Sequence, residues 1–185
     1  MINQTFENFM KDVYNMKSLV RYQTAVRVKS ESVAEHSYFV TVLVLKLHDY
    51  FEFNLEKALR IALLHDYPEI YISDVPSPVK SRFPKIREAM DEAESEVVRE
   101  KLGEEYVSLL QEFNDKSSPE GLICAYADIC SCVQYSSLEV SLGNKDYMAY
   151  VLTYSGQKLK ELEGQLALIS RDPLERNSAT GTQHE

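Results

Sequence analysis

Apolar positions along this chain recur at three- and four-residue intervals, the period of an α-helix, and almost nowhere at the strict alternation of a half-buried strand. Phe6, Phe9, Met10, Val13 and Tyr14 predict an opening helix of roughly three turns. An irregular basic stretch from Lys17 to Lys29 comes next. Ser32-Val33-Ala34-Glu35 has the form of a capping box, so a second helix is expected to start there. That helix carries the run Val40 to Leu45, which local propensity alone would allow as a strand. The cap before it and the uninterrupted passage through His48-Asp49-Tyr50 favour helix. Being apolar almost all round, it is expected to be a central core helix.

Asn54 caps a third helix, Leu55 to His65, and Pro68 disrupts its continuation just after Asp66. Asp74-Val75-Pro76-Ser77-Pro78-Val79 reads as a rigid irregular loop, because two prolines fix the backbone and remove donors. A charged amphipathic helix is predicted from about Pro84 to Lys101, with Ile86, Met90, Ala93, Val97 and Val98 inward, and a shorter one from about Glu104 to Phe113. Ser118-Pro119-Glu120 starts a long helix that Gly143 stops, and a last helix runs from about Asp146 to Leu168. Tyr147, Val151, Tyr154, Leu159 and Leu166 on that helix suit either a core or a subunit interface. The polar, aperiodic segment from Arg171 to Glu185 is expected to be disordered, leaving one helical domain over residues 1–170.

With 185 residues, 44% of them hydrophobic, the chain has the material for one well-buried domain. A formal net charge of −9 argues against a broad nucleic-acid-binding surface and leaves a nucleotide monomer as an acceptable partner. Cys124, Cys130 and Cys132 lack the spacing of a disulfide framework or a zinc knuckle and read as reduced thiols. The first residues lack the features of a signal peptide, and the apolar run from Phe39 to Leu47 is too short to span a bilayer. A cytoplasmic location without a membrane partner is the expectation.

The chemistry concentrates at four residues. His36 lies one turn into the second helix, His65-Asp66 closes the third, and Asp128 interrupts an apolar stretch that includes Leu122, Ile123, Ala125, Ala127, Ile129 and Val133. Singly, His36 reads more readily as a structural histidine than as a ligand. A carboxylate in the setting of Asp128 is costly to desolvate and needs either a cation or a salt bridge, with Arg21, Arg27 or Lys80 as partner. Cys124 and Cys132 stand four residues either side of Asp128 on the same helix face and suit small apolar wall residues better than ligands. Taken together, the four residues read as a divalent metal site. Glu69 and Asp74 put two further carboxylates just beyond it; by spacing alone they read as a helix-end carboxylate and a loop cap. His48 and His184 fit no such cluster.

The order His36, His65-Asp66, Asp128 resembles the signature of the HD-domain metal phosphohydrolases, whose fold is a helical bundle around a central metal. Arg21-Tyr22, Glu31-Ser32-Val33-Ala34-Glu35-His36-Ser37, His65-Asp66-Tyr67-Pro68-Glu69 and Ser73-Asp74-Val75-Pro76-Ser77-Pro78-Val79-Lys80 together look like the bacterial 5'-deoxynucleotidases of that superfamily. The resemblance implies an all-α fold, removal of the 5'-phosphate from deoxyribonucleoside monophosphates, and a homodimer. It implies His36, His65, Asp66 and Asp128 as metal ligands, Glu69 and Asp74 as catalytic carboxylates, and Arg21 as a phosphate or substrate contact. Where that subgroup has tryptophan beside the arginine this chain has Tyr22, at a position whose ring in the family helps exclude a 2'-hydroxyl. Lys80 would add a second positive contact, its bland alternative being a surface lysine.

Two imidazoles and two carboxylates suit Mn, Co, Fe or Zn rather than Ca. A cation there would polarise a phosphoryl group and acidify bound water, with Arg21 offsetting phosphate charge. Of the two carboxylates, Asp74 is expected to act as base and Glu69 to protonate or orient the leaving oxygen. Two rivals stand beside this: a deoxynucleoside triphosphate phosphohydrolase, with Lys29, Lys80 or Arg82 serving the longer phosphate chain, and a nucleotide-binding module without catalysis.

Overall fold

Helix α1 (Gln4–Asn15) opens the computed structural model, which describes residues 4–75 and 77–169, side chains included except at Ser77 and Pro78. No residue of α1 is buried, and contacts near its C-terminal end anchor it. Met16 packs with Val33 and Tyr67, and the Asp12 carboxylate accepts from the Tyr67 and Tyr71 hydroxyls at 2.9 and 2.7 Å.

The predicted capping box forms. Ser32 Oγ accepts from the Glu35 amide, the Glu35 carboxylate accepts from the Ser32 amide at 2.7 Å, and α2 (Val33–Leu47) starts there as a helix despite its β-branched run. α3 (Leu55–Leu64) is capped by Asn54 and ends at His65, and the chain turns through residues 65–68 into the short α4 (Glu69–Ile72). The expected irregular loop is shorter than predicted. α5 (Ser77–Arg82) begins inside it, because a proline in the first helical turn removes only an N–H that has no intrahelical partner anyway. α6 (Pro84–Lys101), α7 (Glu104–Asp115), α8 (Pro119–Ser141) and α9 (Tyr147–Leu166) complete the described helices. Among the described residues there is no strand, and an isolated antiparallel bridge joins Val20 and Ser32. The segment predicted to be disordered, 171–185, lies outside the described residues.

α2 contributes to the core as expected, but the helix with the most neighbours is α8. It packs against α2, α3, α7 and α9, and the main core joins Val40 and Val44 of α2, Ala58, Ile61 and Ala62 of α3, and Ile123, Cys124 and Ala127 of α8 to Leu162 and Leu166 of α9. α2 turns only one face to this core. Its other face leaves Tyr38, Phe39, Val42 and Leu45 exposed, since a helix rotates its side chains through all directions and no described neighbour covers that side. On α6 the inner stripe is less apolar than expected: Ile86 is exposed, while Glu94 is buried beside Val98. Val151 and Leu166 of α9 belong to the core, which settles that half of the ambiguity left by the sequence.

Two close arrangements hold α8 in place. A Cβ on Gly121 would collide with the Glu112 carbonyl, so the first turn of α8 lies directly against the end of α7. At the other end, buried Glu139 accepts from the Val28 and Lys29 amides at 2.8 and 2.6 Å, and Tyr135 donates to the Lys29 carbonyl. These bonds tie the irregular basic stretch to α8 and fix where Arg21 and Tyr22 stand.

Candidate active site

The end of α3, the first turns of α2, the middle of α8 and the loop at Arg21 meet at one place. His36, His65 and Asp66 each offer a ligand atom within 4.8 Å of the others. His36 Nε2 lies 3.4 Å from Asp66 Oδ2 and 3.1 Å from Asp128 Oδ1, and His65 Nε2 lies 3.3 Å from Asp66 Oδ2. Despite these approaches neither Nε2 makes a hydrogen bond, although both are buried. Two orphaned imidazole nitrogens converging on two carboxylates, in a site where an unpaired donor or acceptor is expensive, fit a cation as the missing partner.

The two rings are held differently. His65 Nδ1 lies 2.9 Å from the Ala62 carbonyl, which can only accept, so the proton sits on Nδ1 and Nε2 is the nitrogen that faces the carboxylates. His36 Nδ1 is shared by Ser131 Oγ at 2.9 Å and by Arg21 Nη1 at 2.6 Å. A guanidinium only donates, so in this arrangement Nδ1 accepts. Coordination through Nε2 requires the opposite: the proton on Nδ1, donated to Ser131 Oγ, and Arg21 moved off the ring.

Electrostatics mirror the packing. Burial works against charge on His65, but Asp66 outweighs it and the imidazole is pushed up to about 9. His36 goes the other way, lowered by burial and by the Arg21 charge. Asp66 is held well below the usual carboxylate range, because His65, His36 and Arg21 outweigh the effect of its burial. Asp128 is lowered as well, the His36 ring overcoming desolvation. Glu69 is raised well above the ordinary value, by burial and by the negative charges of Asp66 and Asp74.

A cavity of about 390 Å³ opens beside this cluster. Arg21, Tyr22, His65, Asp66, Glu69, Asp74, Lys80 and Asp128 line it, whereas His36 stands fully buried behind the wall. All nine residues singled out from the sequence therefore come together. Arg21 pairs with Glu31 at 3.0 Å, and Lys80 pairs with Glu94 at 3.0 Å, where the buried Glu94 keeps the ammonium charged. Asp74 Oδ2 accepts the Tyr22 amide at 2.8 Å and so clamps a residue whose φ of 55° is unusual for a bulky side chain. The Tyr22 ring stacks on Tyr135, centroids 5.5 Å apart and planes 3° from parallel. The salt-bridge alternative for Asp128 is not realised: Arg21 and Lys80 pair with glutamates, and Arg27 donates to the Arg21 and Tyr22 carbonyls.

Cys132 lies against both Arg21 and Asp128, and burial pushes its thiol up to about 12, so it is a neutral wall residue. Cys124 donates to the Ala58 carbonyl, away from the cavity. Three contributors escaped the sequence reading. Glu31 holds Arg21, Ser131 faces His36 from the helix turn after Asp128, and Glu94 holds Lys80. Glu94 had a readable signal, a carboxylate on the inward stripe of α6, and Ser131 had one in its three-residue spacing from Asp128.

The family described as 5'-deoxynucleotidase YfbR-like matches residues 8–180. The chain belongs to that family. A mouse protein named 5'-deoxynucleotidase HDDC2 is 28% identical over 121 residues, 63% of this chain and 60% of its own length. This chain thus spans less than two thirds of that relative. The 5'-deoxynucleotidase ECA3034 of Pectobacterium atrosepticum is 27% identical over 153 residues, 76% of each. Among solved structures, an HD-domain phosphohydrolase from Listeria innocua superposes with a TM-score of 0.75 at 25% identity, over 86% of this chain and 82% of that one. The all-α HD-domain fold is thereby established for this family member.

Proposed function

We propose that this protein is a metal-dependent 5'-deoxynucleotidase, cleaving deoxyribonucleoside 5'-monophosphates to the deoxyribonucleoside and phosphate. The observation that carries this is the convergence of two orphaned imidazole nitrogens, two carboxylates and the cationic Arg21 and Lys80 at the inner end of one cavity. His36, His65, Asp66 and Asp128 would hold one divalent cation from the set Mn, Co, Fe and Zn, which supplies Lewis-acid polarisation of the phosphoryl group when bound.

The chain's own residues do the rest. With the His36 proton on Nδ1, Ser131 accepts its hydrogen bond, and Arg21 leaves the ring for a phosphate oxygen. Lys80, charged and braced by Glu94, stands by as a second cationic contact. Asp74, in contact with the Tyr22 amide through one oxygen, keeps the other for the proton of an attacking water. Glu69, whose Oε2 is buried without a partner, is suited to carry a proton toward the leaving 5'-oxygen. Tyr22 is braced by Tyr135 where a sugar would pass. Of the cations considered for a triphosphate substrate, Lys80 lines the cavity and Lys29 and Arg82 do not.

A panel of deoxy- and ribonucleoside mono- and triphosphates, offered to protein loaded in turn with Mn, Co, Zn or Mg, tests the assignment. Inorganic phosphate released from deoxynucleoside monophosphates is the expected product. Release of triphosphate alone would move the assignment to the rival enzyme, and binding without turnover would leave the binding module. No described helix is long and apolar enough to cross a membrane. A cytoplasmic setting accords with three free cysteines. The uncovered face of α2, with Tyr38, Phe39, Val42 and Leu45, supports a homodimer. Light scattering is expected to give twice the chain mass, and Val42→Glu to return the monomer; a monomeric wild-type protein would refute the dimer.

A further inference from the structure

The cavity has a second cationic region that the reaction at its inner end leaves unused. Arg87 of α6, Lys116 at the end of α7 and Lys158 of α9 all line it. They come from three separate helices in a chain whose formal net charge is −9, so their convergence is not a by-product of a basic protein. Arg87 and Lys158 have acidic neighbours on their own helices, Asp91 at 3.7 Å and Glu161 at 2.7 Å. Lys116 has no such partner: among the described residues it makes no ion pair, and its ammonium donates only to the neutral Asn114 carbonyl at 3.2 Å. Lys116 is exposed overall, and partial desolvation together with the Arg87 and Lys158 charges lowers its proton affinity against the pull of Asp115 and Asp128. Lys116 also adopts φ 53° and ψ 35°, a left-handed conformation that a residue with a Cβ takes at a cost. In this region the three cations stand against two carboxylates, Asp91 and Glu161, that also line the cavity, and the local excess of positive charge suits an anion brought from outside.

We propose that Arg87, Lys116 and Lys158 form a second anion subsite, which takes a phosphoryl group additional to the one at the His and Asp cluster. The proposal rests on the nucleotidase reading of the inner site and goes beyond it. The accepted substrates then include nucleotides that carry a second phosphoryl group, either on the 3'-oxygen or along a 5'-polyphosphate tail. The same chemistry recognises both. Phe113, Ile129 and Val151 also line the cavity and offer apolar surface to the base and sugar.

Titration calorimetry of thymidine 5'-monophosphate, 3',5'-bisphosphate and 5'-triphosphate tests this, with wild-type protein and a Lys116→Gln/Lys158→Gln double variant. Metal-loaded protein is used, with ligand analogues that carry a methylene in place of the 5'-oxygen so that no ligand is consumed. At least one of the two ligands with additional phosphoryl groups is expected to bind about tenfold tighter than the monophosphate. The double variant is expected to erase that gain while changing monophosphate affinity less than about twofold. A gain confined to the bisphosphate assigns the subsite to the 3' side, and one confined to the triphosphate assigns it to the tail. No gain in wild type, or a gain that persists in the double variant, overturns the subsite. Failure of the nucleotidase reading would show separately, as absent phosphate release in the substrate panel, and would leave these titrations readable.

Discussion

His65→Ala is expected to abolish both metal binding and turnover. The ring is buried, its Nδ1 is committed to the Ala62 carbonyl, and its Nε2 faces Asp66 at 3.3 Å. Alanine removes one of two nitrogen donors and leaves Asp66 and Asp128 to repel one another with only His36 between them. Because loss of an outer-shell partner alone costs about 10–100-fold in metal affinity, loss of a ligand is expected to cost at least about 100-fold. Turnover should fall by about 10³-fold or more. A thermal readout separates this from simple misfolding. Metal at about 100 times its Kd stabilises a native site by about 2.7 kcal/mol, which for a chain of this size raises Tm by about 5–10 °C. Wild-type protein is expected to show that rise and the variant to lose it. A variant that keeps a metal-dependent rise and wild-type turnover would remove His65 from the site.

Asp74→Asn is expected to lower kcat by about 10²–10⁴-fold, the range of a lost general base, with metal binding and stability unchanged. The substitution is discriminating because Asp74 has two tasks. Its Oδ2 accepts the Tyr22 amide at 2.8 Å, and the asparagine carbonyl oxygen can do the same. The backbone clamp survives while the negative charge is lost. Asp74→Ala removes both and should additionally raise KM through the Tyr22 loop. If Asp74→Asn turned over at near wild-type rate with metal bound, the base would have to be sought elsewhere, with the buried Glu69 carboxylate next in line.

The helices were legible wherever local physics decides them. Ser32 and Glu35 form their reciprocal cap, Asn54 and Ser118 cap α3 and α8, and Gly143, at φ 101°, stands where the α8 helix stops. Each depends on contacts within about one turn, so the sequence carries them outright. The burial of α2 was not legible in this way. Its apolar residues are on every side, and which side is covered depends on where α3 and α8 lie, so Val40 and Val44 go inside while Val42 and Leu45 stay out. α6 likewise hides Glu94 and exposes Ile86, because Lys80, carried on a different helix, supplies the charge that makes a buried glutamate tolerable.

By itself the sequence determined the helical class and the order of the seven longer helices, and its resemblance to a known family pointed to the nine residues that the fold brings together. These derive from helical period, caps and an ordered set of motifs, all of which are local or additive along the chain. Only the tertiary structure decided that α8 is central, that Arg21 and Ser131 compete for one nitrogen of His36, and that Arg87, Lys116 and Lys158 face the same cavity as the His and Asp cluster. Those facts join residues far apart in the chain, up to 111 positions in the case of Arg21 and Cys132. No periodicity encodes such distances. They are set when apolar faces pack, and the polar side chains carried on those faces are brought together with them.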